Sequence, residues 1–487
     1  METITWLLDI LVRWYWVPMT LALVGVFLTV LIENRNPAKA TSYFLLLVIL
    51  PIIGLVVFYF FGRDFRKQLK FKKKESWEKF KTREFWEEVN KSQENNFSII
   101  QQKFGQLSKI PIMLFNQRNS LTFGKNKIKL LKNGEIKFPE VFEALKNASH
   151  HIHMEYYIIS DDEVSDELLK ILVQKAKEGV EIRVFVDGLG SKRLTKFEEQ
   201  CKLKNFTFHE FMPVRFSNLA SSNYRDHRKI IVIDGKIGFI GGINFNNKYW
   251  NRKKGQIYWR DTHLKIEGPS VNSLQFRFLT SWNFVSKEII PFEKPYFFNT
   301  DIFENGAFVS IVTSGPLSPR PYGMDTMVSL IYKAKDIVRI ANPYFIPSDE
   351  LIGAMINAAH SGVRVQLLIP GSSDSHIVQR ATRSYLKNLV VNDVEVYLYQ
   401  KGFVHSKTLT IDDDASFVGS LNADMRSFYI NFEASALVFD KELTKQMNND
   451  FDQDLQESML LTLTEIEKRS IMDKFLDSSC RLLTPLL

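Results

Sequence analysis

Cysteine is scarce in this chain of 487 residues, which contains only Cys201 and Cys480. Two cysteines exclude a disulfide framework and permit a reducing compartment. Neither positive nor negative side chains dominate, since 63 basic and 55 acidic side chains leave a net charge of +8. That moderate excess suits anionic partners such as lipid headgroups or nucleic acid. The length allows two to three domains.

Charge is absent from two stretches near the N-terminus, residues 14–32 and 40–62. Each is about long enough to cross a hydrocarbon core. A signal peptide fits less well, because the first stretch has no small-residue cleavage site and the second follows closely. A hairpin buried in a protein core is the alternative. We predict a two-helix transmembrane hairpin over residues 1–65.

A dense basic cluster follows Gly62. It predicts that this flank, and the catalytic part after it, lie in the cytoplasm. Residues 66–107 remain basic, with interleaved apolar side chains at Trp77, Phe80, Phe85, Trp86 and Val89. This pattern fits a basic amphipathic helix on an anionic membrane surface. An ordinary amphipathic helix packed on the catalytic body fits it equally well.

One pattern, His-x-Lys-x4-Asp, occurs twice in the sequence. It comprises His227, Lys229 and Asp234 in the first copy and His405, Lys407 and Asp412 in the second. The offset between the copies is 178 residues, and the continuations reach Asn244 and Asn422 at the same offset. The recurrence of His, Lys, Asp, Phe, Gly and Asn at one offset within two eighteen-residue windows is a stronger signal than one His-x-Lys, which alone would indicate a strand-edge histidine beside a solvated lysine.

The chemistry of these residue types fits a phosphodiester. Each motif runs into an apolar strand, and positions two apart on a strand face the same way, so each histidine shares a face with its lysine. One imidazole can attack phosphorus while the other protonates the leaving alkoxide. The lysines and asparagines can then stabilise the phosphoryl oxygens. This scheme needs no metal ion.

The duplicated motif resembles the HKD motif of the phospholipase D superfamily. The resemblance implies that the six motif residues form the catalytic set. In that superfamily an acidic residue at the place of Glu433 supports an imidazole, so we expect Glu433 to pair with His405 and Asp261 with His227. Exposed strand carboxylates are the alternative. Asp234 and Asp412 complete the motif, but their odd spacing from the lysines indicates a structural role on local backbone.

A coarser duplication surrounds the motifs. Residues 152–159 and 179–188 resemble residues 338–346 and 362–371, with a helical stretch between the members of each pair. Apolar strands joined by helical crossovers predict an α/β fold. We expect two homologous phospholipase D-like lobes, residues 108–290 and 291–487, with mixed, mostly parallel sheets flanked by helices. One active site at their interface follows, since two histidines must reach one phosphorus.

Other polar residues give weaker signals. His150, His151 and His153 are close in sequence but lack cysteine or acidic partners at ligand spacing, so we predict no metal site and no cofactor. His263 is expected to be a satisfied core or interface histidine. Arg383 either binds a second phosphate or lies on a solvated helix face.

Further motifs resemble those of bacterial cardiolipin synthases: Glu33-Asn-Arg35-Asn-Pro37, Pro51-x-x-Gly54, Tyr59-Phe-Phe-Gly62, Asn342-Pro-Tyr344-Phe-Ile-Pro347 and Arg383-Ser-Tyr385. The resemblance runs from near residue 14 to the C-terminus. Two positions depart from the pattern, with Asp261 in place of Glu and Gly242 where the second copy has Ser420. Gly242 removes one hydroxyl donor from the first half-site.

This resemblance implies a multi-pass enzyme of the bacterial inner membrane that converts two phosphatidylglycerol molecules to cardiolipin and glycerol. His227 would carry a phosphohistidine, His405 would be acid and base, and Asn244, Asn422 and Arg383 would bind substrate. The expected partners are phosphatidylglycerol and anionic membrane lipids, without nucleic acid. A phospholipase D-type hydrolase, another phosphatidyltransferase and a membrane-tethered phosphodiesterase or nuclease remain alternatives.

Overall fold

The computed structural model describes residues 44–57 and 83–482, apart from 192–193, 214–222, 254, 287–288, 292–295 and 298–300, together with scattered positions between 16 and 28. The chain divides into two compact units. One unit comprises Met1–Leu69, Val214–Asn223 and Leu486, and the other comprises the remaining residues.

The smaller unit contains helix α1 (Pro51–Val57). The rings of Phe27 and Phe44 pack 5.4 Å apart, centroid to centroid. Much of the two predicted transmembrane stretches, with the polar segment between them, lies outside the described residues. Within the described part of the chain, no helix combines the length and the apolar composition that crossing a membrane requires.

The larger unit is built on one continuous sheet, which among the described residues has fifteen strands in the order β17-β12-β11-β10-β14-β15-β16-β9-β1-β8-β6-β5-β2-β3-β4. The strands in the first half of the larger unit are β1 (Thr122–Lys132), β2 (His151–Tyr156), β3 (Glu181–Asp187), β4 (Phe206–Phe211), β5 (Lys229–Ile233), β6 (Ile237–Gly241), β7 (Tyr258–Arg260) and β8 (Thr262–Glu267). The later strands are β9 (Ala307–Ser314), β10 (Ile337–Ala341), β11 (Arg364–Pro370), β12 (Glu395–Tyr399), β13 (Gly402–Val404), β14 (Thr408–Ile411), β15 (Ala415–Gly419), β16 (Glu433–Phe439) and β17 (Ser458–Leu460). Strands β7 and β13 lie outside the large sheet and pair with each other in a separate two-stranded sheet.

Helices cover the sheet. They are α2 (Arg83–Phe104), α3 (Lys109–Asn116), α4 (Asn133–Lys146), α5 (Glu163–Lys177), α6 (Thr195–Glu199), α7 (Val271–Val285), α8 (Tyr322–Ile331), α9 (Asp349–His360), α10 (His376–Val390), α11 (Met425–Tyr429), α12 (Lys441–Gln456), α13 (Leu463–Glu467) and α14 (Ile471–Leu482). The crossover helices α5 and α9 begin where the sequence places polar turns, because Asp162 and Ser348 accept a hydrogen bond from a first-turn amide.

The two halves repeat one topology, as the duplicated sequence predicts. In each half three parallel strands (β2-β3-β4 or β10-β11-β12) are followed by antiparallel strands, and the equivalent strands β1 and β9 pair with each other at the junction. The α/β fold with two such lobes is confirmed, whereas the expectation of mostly parallel sheets is wrong. Among the described strands, ten neighbouring pairs in the large sheet are antiparallel and four are parallel. The excess arises because each motif strand turns back in a hairpin, which forces antiparallel pairing.

Among the described residues, three large apolar clusters form most of the core of the larger unit, beside a smaller one that includes Leu368 and Phe451. One belongs to the first half, one to the second, and a third joins strands of both across the junction, with Ile230, Val309 and Val438 among its members. Helix α2 packs on the cluster of the second half through Ile100 and Phe104. This part of residues 66–107 is therefore an amphipathic helix packed on the rest of the protein, which was the alternative to a membrane-surface helix. Trp77, Phe80 and the side chains of Phe85 and Trp86 lie outside the described residues. The domain boundaries stay predictions.

Candidate active site

The two motifs occupy equivalent central positions of the sheet. Strand β5 begins at Lys229 and strand β14 one residue after Lys407, so each histidine lies just before its strand. Strand β5 is buried on both faces, which explains its continuous apolar sequence, whereas β14 alternates threonine with leucine and isoleucine and is also largely buried. His227 and His405 are 8% and 5% exposed. The folded chain therefore holds both imidazoles in a largely dry environment.

The motif aspartates close the hairpins rather than face the histidines. Asp234 accepts hydrogen bonds from the backbone amides of Ser149, His150 and His151 at 2.8–2.9 Å. Asp412 accepts from residues 335, 336 and 337 in the same way. Both residues have positive φ angles, 54° and 52°. The expected binding of both aspartates to local backbone is confirmed, and their place in the catalytic set stays a prediction.

Backbone pairing crosses between the lobes at each histidine. The amide of His227 donates to the carbonyl of Phe432 at 2.9 Å, and the amide of His405 donates to the carbonyl of Arg260 at 2.7 Å. Asp226 and Phe432 form a parallel bridge, whereas strand β13 pairs with β7 over three residues. In both places the accepting residue immediately precedes a carboxylate of the opposite lobe.

This crossing decides which carboxylate supports which imidazole. Nδ1 of His227 lies 3.0 Å from Oε1 of Glu433, and Nδ1 of His405 lies 2.7 Å from Oδ2 of Asp261. The expected pairs, Glu433 with His405 and Asp261 with His227, are therefore wrong. Both carboxylates do bind an imidazole, but each binds that of the other lobe. We define the first half-site as His227, Lys229 and Glu433, and the second as His405, Lys407 and Asp261.

In the first half-site the carboxylate stays ionised. Burial raises the pKa of Glu433, but the charges of His227 and Lys229 and hydrogen bonds from His227 and Ser420 outweigh burial and hold the pKa below its usual value. Burial lowers the pKa of His227 to about 4 although Glu433 opposes the shift. An ionised Glu433 that accepts from Nδ1 leaves Nε2 of a neutral His227 with its lone pair available.

In the second half-site the carboxylate is easier to protonate. Burial raises the pKa of Asp261 to about 6, against the opposing charge of Lys407. Burial and the nearby lysines lower the pKa of His405 well below its usual value. The hydrogen-bonded pair of His405 and Asp261 can therefore take up one proton between them near neutral pH.

The two lysines bring positive charge into the same buried space. Nζ of Lys407 lies 3.1 Å from Nε2 of His405, and Nζ of Lys229 donates to the carbonyl of His227. Burial lowers the pKa of Lys229 to about 7 and that of Lys407 to about 8. An anion bound between them would offset the burial and favour the charged lysines.

The two motif asparagines differ in their contacts. Asn244 accepts from the amide of Ile158 at 3.3 Å and donates to the hydroxyl of Tyr249 at 3.0 Å. The buried Oδ1 atom of Asn422 has no hydrogen-bond partner among the described residues. One hydrogen of the Asn244 amide and the Asn422 amide therefore remain for a ligand, and their role as phosphoryl ligands stays a prediction.

The departure at Gly242 has a steric reason. A Cβ atom at Gly242 would lie 2.2 Å from Oδ1 of Asp261, so the carboxylate fills the space a side chain would need. At the equivalent position the hydroxyl of Ser420 donates to Oε2 of Glu433. Glycine with aspartate and serine with glutamate are thus two residue pairs that each position a carboxylate beside an imidazole.

Comparison with known proteins agrees with this site. The sequence matches the family described as "Cardiolipin synthase, PLD-like domain" over residues 141–263 and 327–455, one stretch in each lobe. It is 35% identical over 478 residues to the cardiolipin synthase of Halalkalibacterium halodurans, covering 96% of this chain and 93% of that protein. The chain belongs to the cardiolipin synthase family. Cardiolipin synthase 2 of Bacillus anthracis, at 35% identity over 94% of this chain and 88% of that protein, supports the same assignment.

A solved structure gives the same fold. The phosphatidylserine synthase of Haemophilus influenzae superposes with a TM-score of 0.60, covering 78% of this chain and all of that one. Sequence identity is 16%, so this likeness concerns the fold alone.

Arg383 lies at a cavity beside the second half-site of this family member. The cavity has a volume of ≈ 220 Å³ and is lined by Pro343, Gln379, Arg383, Leu386, Leu398, Leu461, Ile466 and Arg469, among others. Pro343 precedes Tyr344, whose ring centroid is 6.3 Å from that of His405. Burial, and then the charge of Arg469, lower the pKa of Arg383. Arg383 itself is exposed, and its choice between a phosphate ligand and a solvated helix face stays a prediction.

Three further histidines, His151, His153 and His263, are buried, whereas His150 is exposed. His151 and His153 lie on β2, where Nε2 of His151 and Nδ1 of His153 lie 3.1 Å and 2.9 Å from the side-chain amide of Gln275. His263 is also fully buried, but neither ring nitrogen has a hydrogen-bond partner among the described residues, so the expectation of a satisfied histidine is wrong. The ring instead packs against Gly241, where a Cβ atom would lie 2.4 Å from Nδ1. Within the described part of the chain, no three potential metal ligands cluster.

Sequence reasoning did not single out the aromatic wall of the second half-site. Rings of Tyr249, Trp259 and Tyr344 lie 5.3–6.3 Å from that of His405. Nζ of Lys248 is 3.9 Å from the Trp259 ring centroid. The available signal was the position of Lys248 and Tyr249, which closely follow Asn244 at the end of the first motif.

Proposed function

We propose that the protein is a membrane-bound transphosphatidylase that makes cardiolipin and glycerol from two phosphatidylglycerol molecules through a phosphohistidine. Cardiolipin synthesis follows from family membership over nearly the whole chain, and the proposal concerns how these residues perform it. The observation that carries it is the pair of crossed contacts, Glu433 on His227 and Asp261 on His405.

In the first step Nε2 of His227 attacks the phosphorus of one phosphatidylglycerol. The bond from phosphorus to the glycerol headgroup oxygen breaks, and His405 transfers its proton to that oxygen as glycerol leaves. Glu433 accepts the hydrogen bond from Nδ1 of His227 and stabilises the positive charge that develops on this ring. The phosphatidyl group remains bound to Nε2.

In the second step a second phosphatidylglycerol supplies the acceptor hydroxyl. His405 removes the hydroxyl proton, the oxygen attacks phosphorus, and the bond from phosphorus to His227 breaks to release cardiolipin. Lys229 and Lys407 balance the phosphoryl charge throughout, with the amides of Asn244 and Asn422 as further donors. Burial of both imidazoles limits access of water, which would otherwise give phosphatidic acid.

The assignment of nucleophile and acid rests on the two carboxylates. Burial keeps His227 neutral, and an ionised Glu433 orients it as a nucleophile, because it fixes the Nδ1–H tautomer. Asp261, with a pKa raised by burial to about 6, allows the second pair to hold the proton that the leaving glycerol requires.

Arg383 is proposed to bind the phosphate of the acceptor lipid. Its cavity combines two guanidinium groups with apolar side chains, as a phosphate attached to acyl chains requires. Replacement of Arg383 by Ala is expected to raise KM for the acceptor about tenfold with little change in the rate of glycerol release. A fall in glycerol release alone would assign Arg383 to the donor instead.

The cellular location of the protein is the next part of the proposal. We propose that residues 1–65 form a transmembrane hairpin in the bacterial inner membrane and that the lobes lie on its cytoplasmic side. The absence of charge from residues 14–32 and 40–62, the contact between Phe27 and Phe44 and the basic flank support this arrangement. Addition of a membrane-impermeant thiol reagent to intact cells tests it, because Cys201 should react only after lysis.

The test of the reaction uses the purified full chain, radiolabelled phosphatidylglycerol in mixed micelles and a chelator. Cardiolipin with an equal amount of released glycerol is the expected result. Phosphatidic acid as the only product would mean that water is the acceptor and that the protein is a hydrolase. No lipid turnover, with cleavage of a labelled oligonucleotide instead, would replace the proposal with a nuclease.

A further inference from the structure

The last described helix, α14, packs against the protein through its polar side. Asp477 is 3% exposed. Arg380 on α10 donates to Asp473 and Asp477 at 3.3 and 3.2 Å, and Arg469 also binds Asp477. Surface helices normally bury their apolar face and turn the charged face to water. Ion pairs fix α14 in the reverse orientation.

The outward side of α14 is consequently apolar. Ile471, Phe475 and Leu482 are 86%, 65% and 80% exposed. At 3.6 residues per turn these three positions fall within about 40° of arc. Met472 is 65% exposed and widens the same face. A contiguous row of large apolar side chains on a helix twelve residues long is a surface that excludes water when covered.

On α14 itself, the charged side chains that flank this face are basic. Lys474 and Arg481 are exposed along one flank of the row, about 60–120° from it by helical geometry. Both acidic residues of α14, Asp473 and Asp477, are directed toward arginines of the protein. An apolar face flanked by basic residues is the pattern of a helix lying in the interface of an anionic bilayer.

We propose that α14 lies on an anionic lipid surface, with Ile471, Met472, Phe475 and Leu482 inserted among the acyl chains near the headgroups. This contact is separate from the predicted hairpin and rests on the proposed function only in that the substrate lies in a bilayer. A second copy of the chain fits less well, because a two-fold contact through this face would bring the Lys474 and Arg481 flanks of both copies together.

The depth of α14 in the bilayer can be measured on the full chain in nanodiscs of phosphatidylglycerol and phosphatidylcholine. An environment-sensitive fluorophore is attached to Phe475→Cys in a background where Cys201 and Cys480 are serine. Gln446→Cys, an exposed position on α12, is the matched control. The probe at 475 is expected to lose most of its emission to acyl-brominated lipid and little to aqueous iodide, and the control is expected to do the opposite.

Two other outcomes would overturn the inference. Quenching of the 475 probe by iodide alone would place α14 in water. Protection from both quenchers would mean that protein covers the face, and a cysteine cross-link between two chains at 475 would identify a second copy as that protein.

Charge and apolar variants complete the test. Phe475→Ser with Leu482→Ser is expected to raise the mole fraction of phosphatidylglycerol at half-maximal rate about tenfold or more. Lys474→Glu with Arg481→Glu should remove lipid quenching in phosphatidylglycerol discs. Cardiolipin formation by the labelled protein is assayed in parallel. In the labelled protein that keeps Lys474 and Arg481, absence of lipid quenching with cardiolipin still formed defeats this inference alone. Lipid quenching of that protein without cardiolipin formation defeats the proposed function alone.

Discussion

The first and the second half-site share one backbone plan and differ in their side chains. In each, the histidine amide binds the carbonyl that precedes a carboxylate of the other lobe. The first half-site adds the Ser420 hydroxyl to a glutamate that stays ionised. The second has an aspartate with a pKa of about 6 and a wall of aromatic rings. The duplicated backbone is the same in both half-sites, and small side-chain differences shift the pKa values of the two carboxylates in opposite directions.

The largest expected effect separates nucleophile from acid. His227→Ala should lower turnover by at least about 10⁴-fold and abolish the radiolabelled phosphatidyl-enzyme. His405→Ala should cost about 10²–10⁴-fold, because it removes general acid and base catalysis. With phosphatidyl-p-nitrophenol, whose leaving group needs no proton, His405→Ala should form the adduct and His227→Ala should not. The reverse result would exchange the two roles.

The next largest effect is expected for the two supporting carboxylates, Glu433 and Asp261, whose replacement should slow different steps. Glu433→Gln is expected to lower turnover about 10³-fold, because it removes the charge that orients and supports His227. Asp261→Asn should affect glycerol release mainly through the proton that His405 carries. Equal losses in adduct formation for both variants, measured in single turnovers, would contradict the asymmetry.

The two chemical steps should depend on pH in opposite directions. The pair of His405 and Asp261 must carry a proton to release glycerol, and that proton is lost as pH rises through the pKa of about 6. Glycerol release in a single turnover should therefore decline above this pH, and transfer to the acceptor should increase. Asp261→Asn should flatten both profiles near pH 6. Parallel pH profiles for the two steps would exclude the shared proton.

A smaller effect tests the Gly242 and Ser420 exchange. Ser420→Gly removes a hydrogen bond to a charged carboxylate and should cost about tenfold in turnover. Gly242→Ser should cost more, because its Cβ atom would displace the Asp261 carboxylate. The double change Gly242→Ser with Asp261→Glu recreates the serine–glutamate pair and should recover activity relative to Gly242→Ser alone. If activity did not recover, the backbones of the two half-sites would not be equivalent.

The smallest effect on rate is expected at the hairpin aspartates. Asp234→Ala and Asp412→Ala each release backbone amides from a carboxylate and should lower the free energy of unfolding by about 1–3 kcal/mol. Turnover at a temperature where the variants stay folded should change little. Denaturant unfolding and activity are measured on the same samples. Lost turnover at unchanged stability would restore these residues to the catalytic set.

Several features could be predicted from local sequence. Strand β5 follows from an apolar run after its histidine and β14 from an alternating one, and crossover helices such as α5 follow from apolar periodicity bounded by polar turns. The structural role of Asp234 and Asp412 follows from their odd spacing along a strand. Sequence comparison adds the cardiolipin synthase family because its motifs are contiguous and occur in both lobes.

The sequence by itself thus determined the duplicated motif, the α/β lobes and the requirement for two histidines at one phosphorus. Tertiary structure decided that Glu433 supports His227, that Asp261 supports His405, and that Gly242 leaves room for Asp261. The physical reason is that strand pairing between lobes joins residues more than 140 positions apart in the chain. No local pattern encodes which lobe's carboxylate meets which imidazole, because both carboxylates follow their own motif at similar distances and only the crossed backbone pairing distinguishes them.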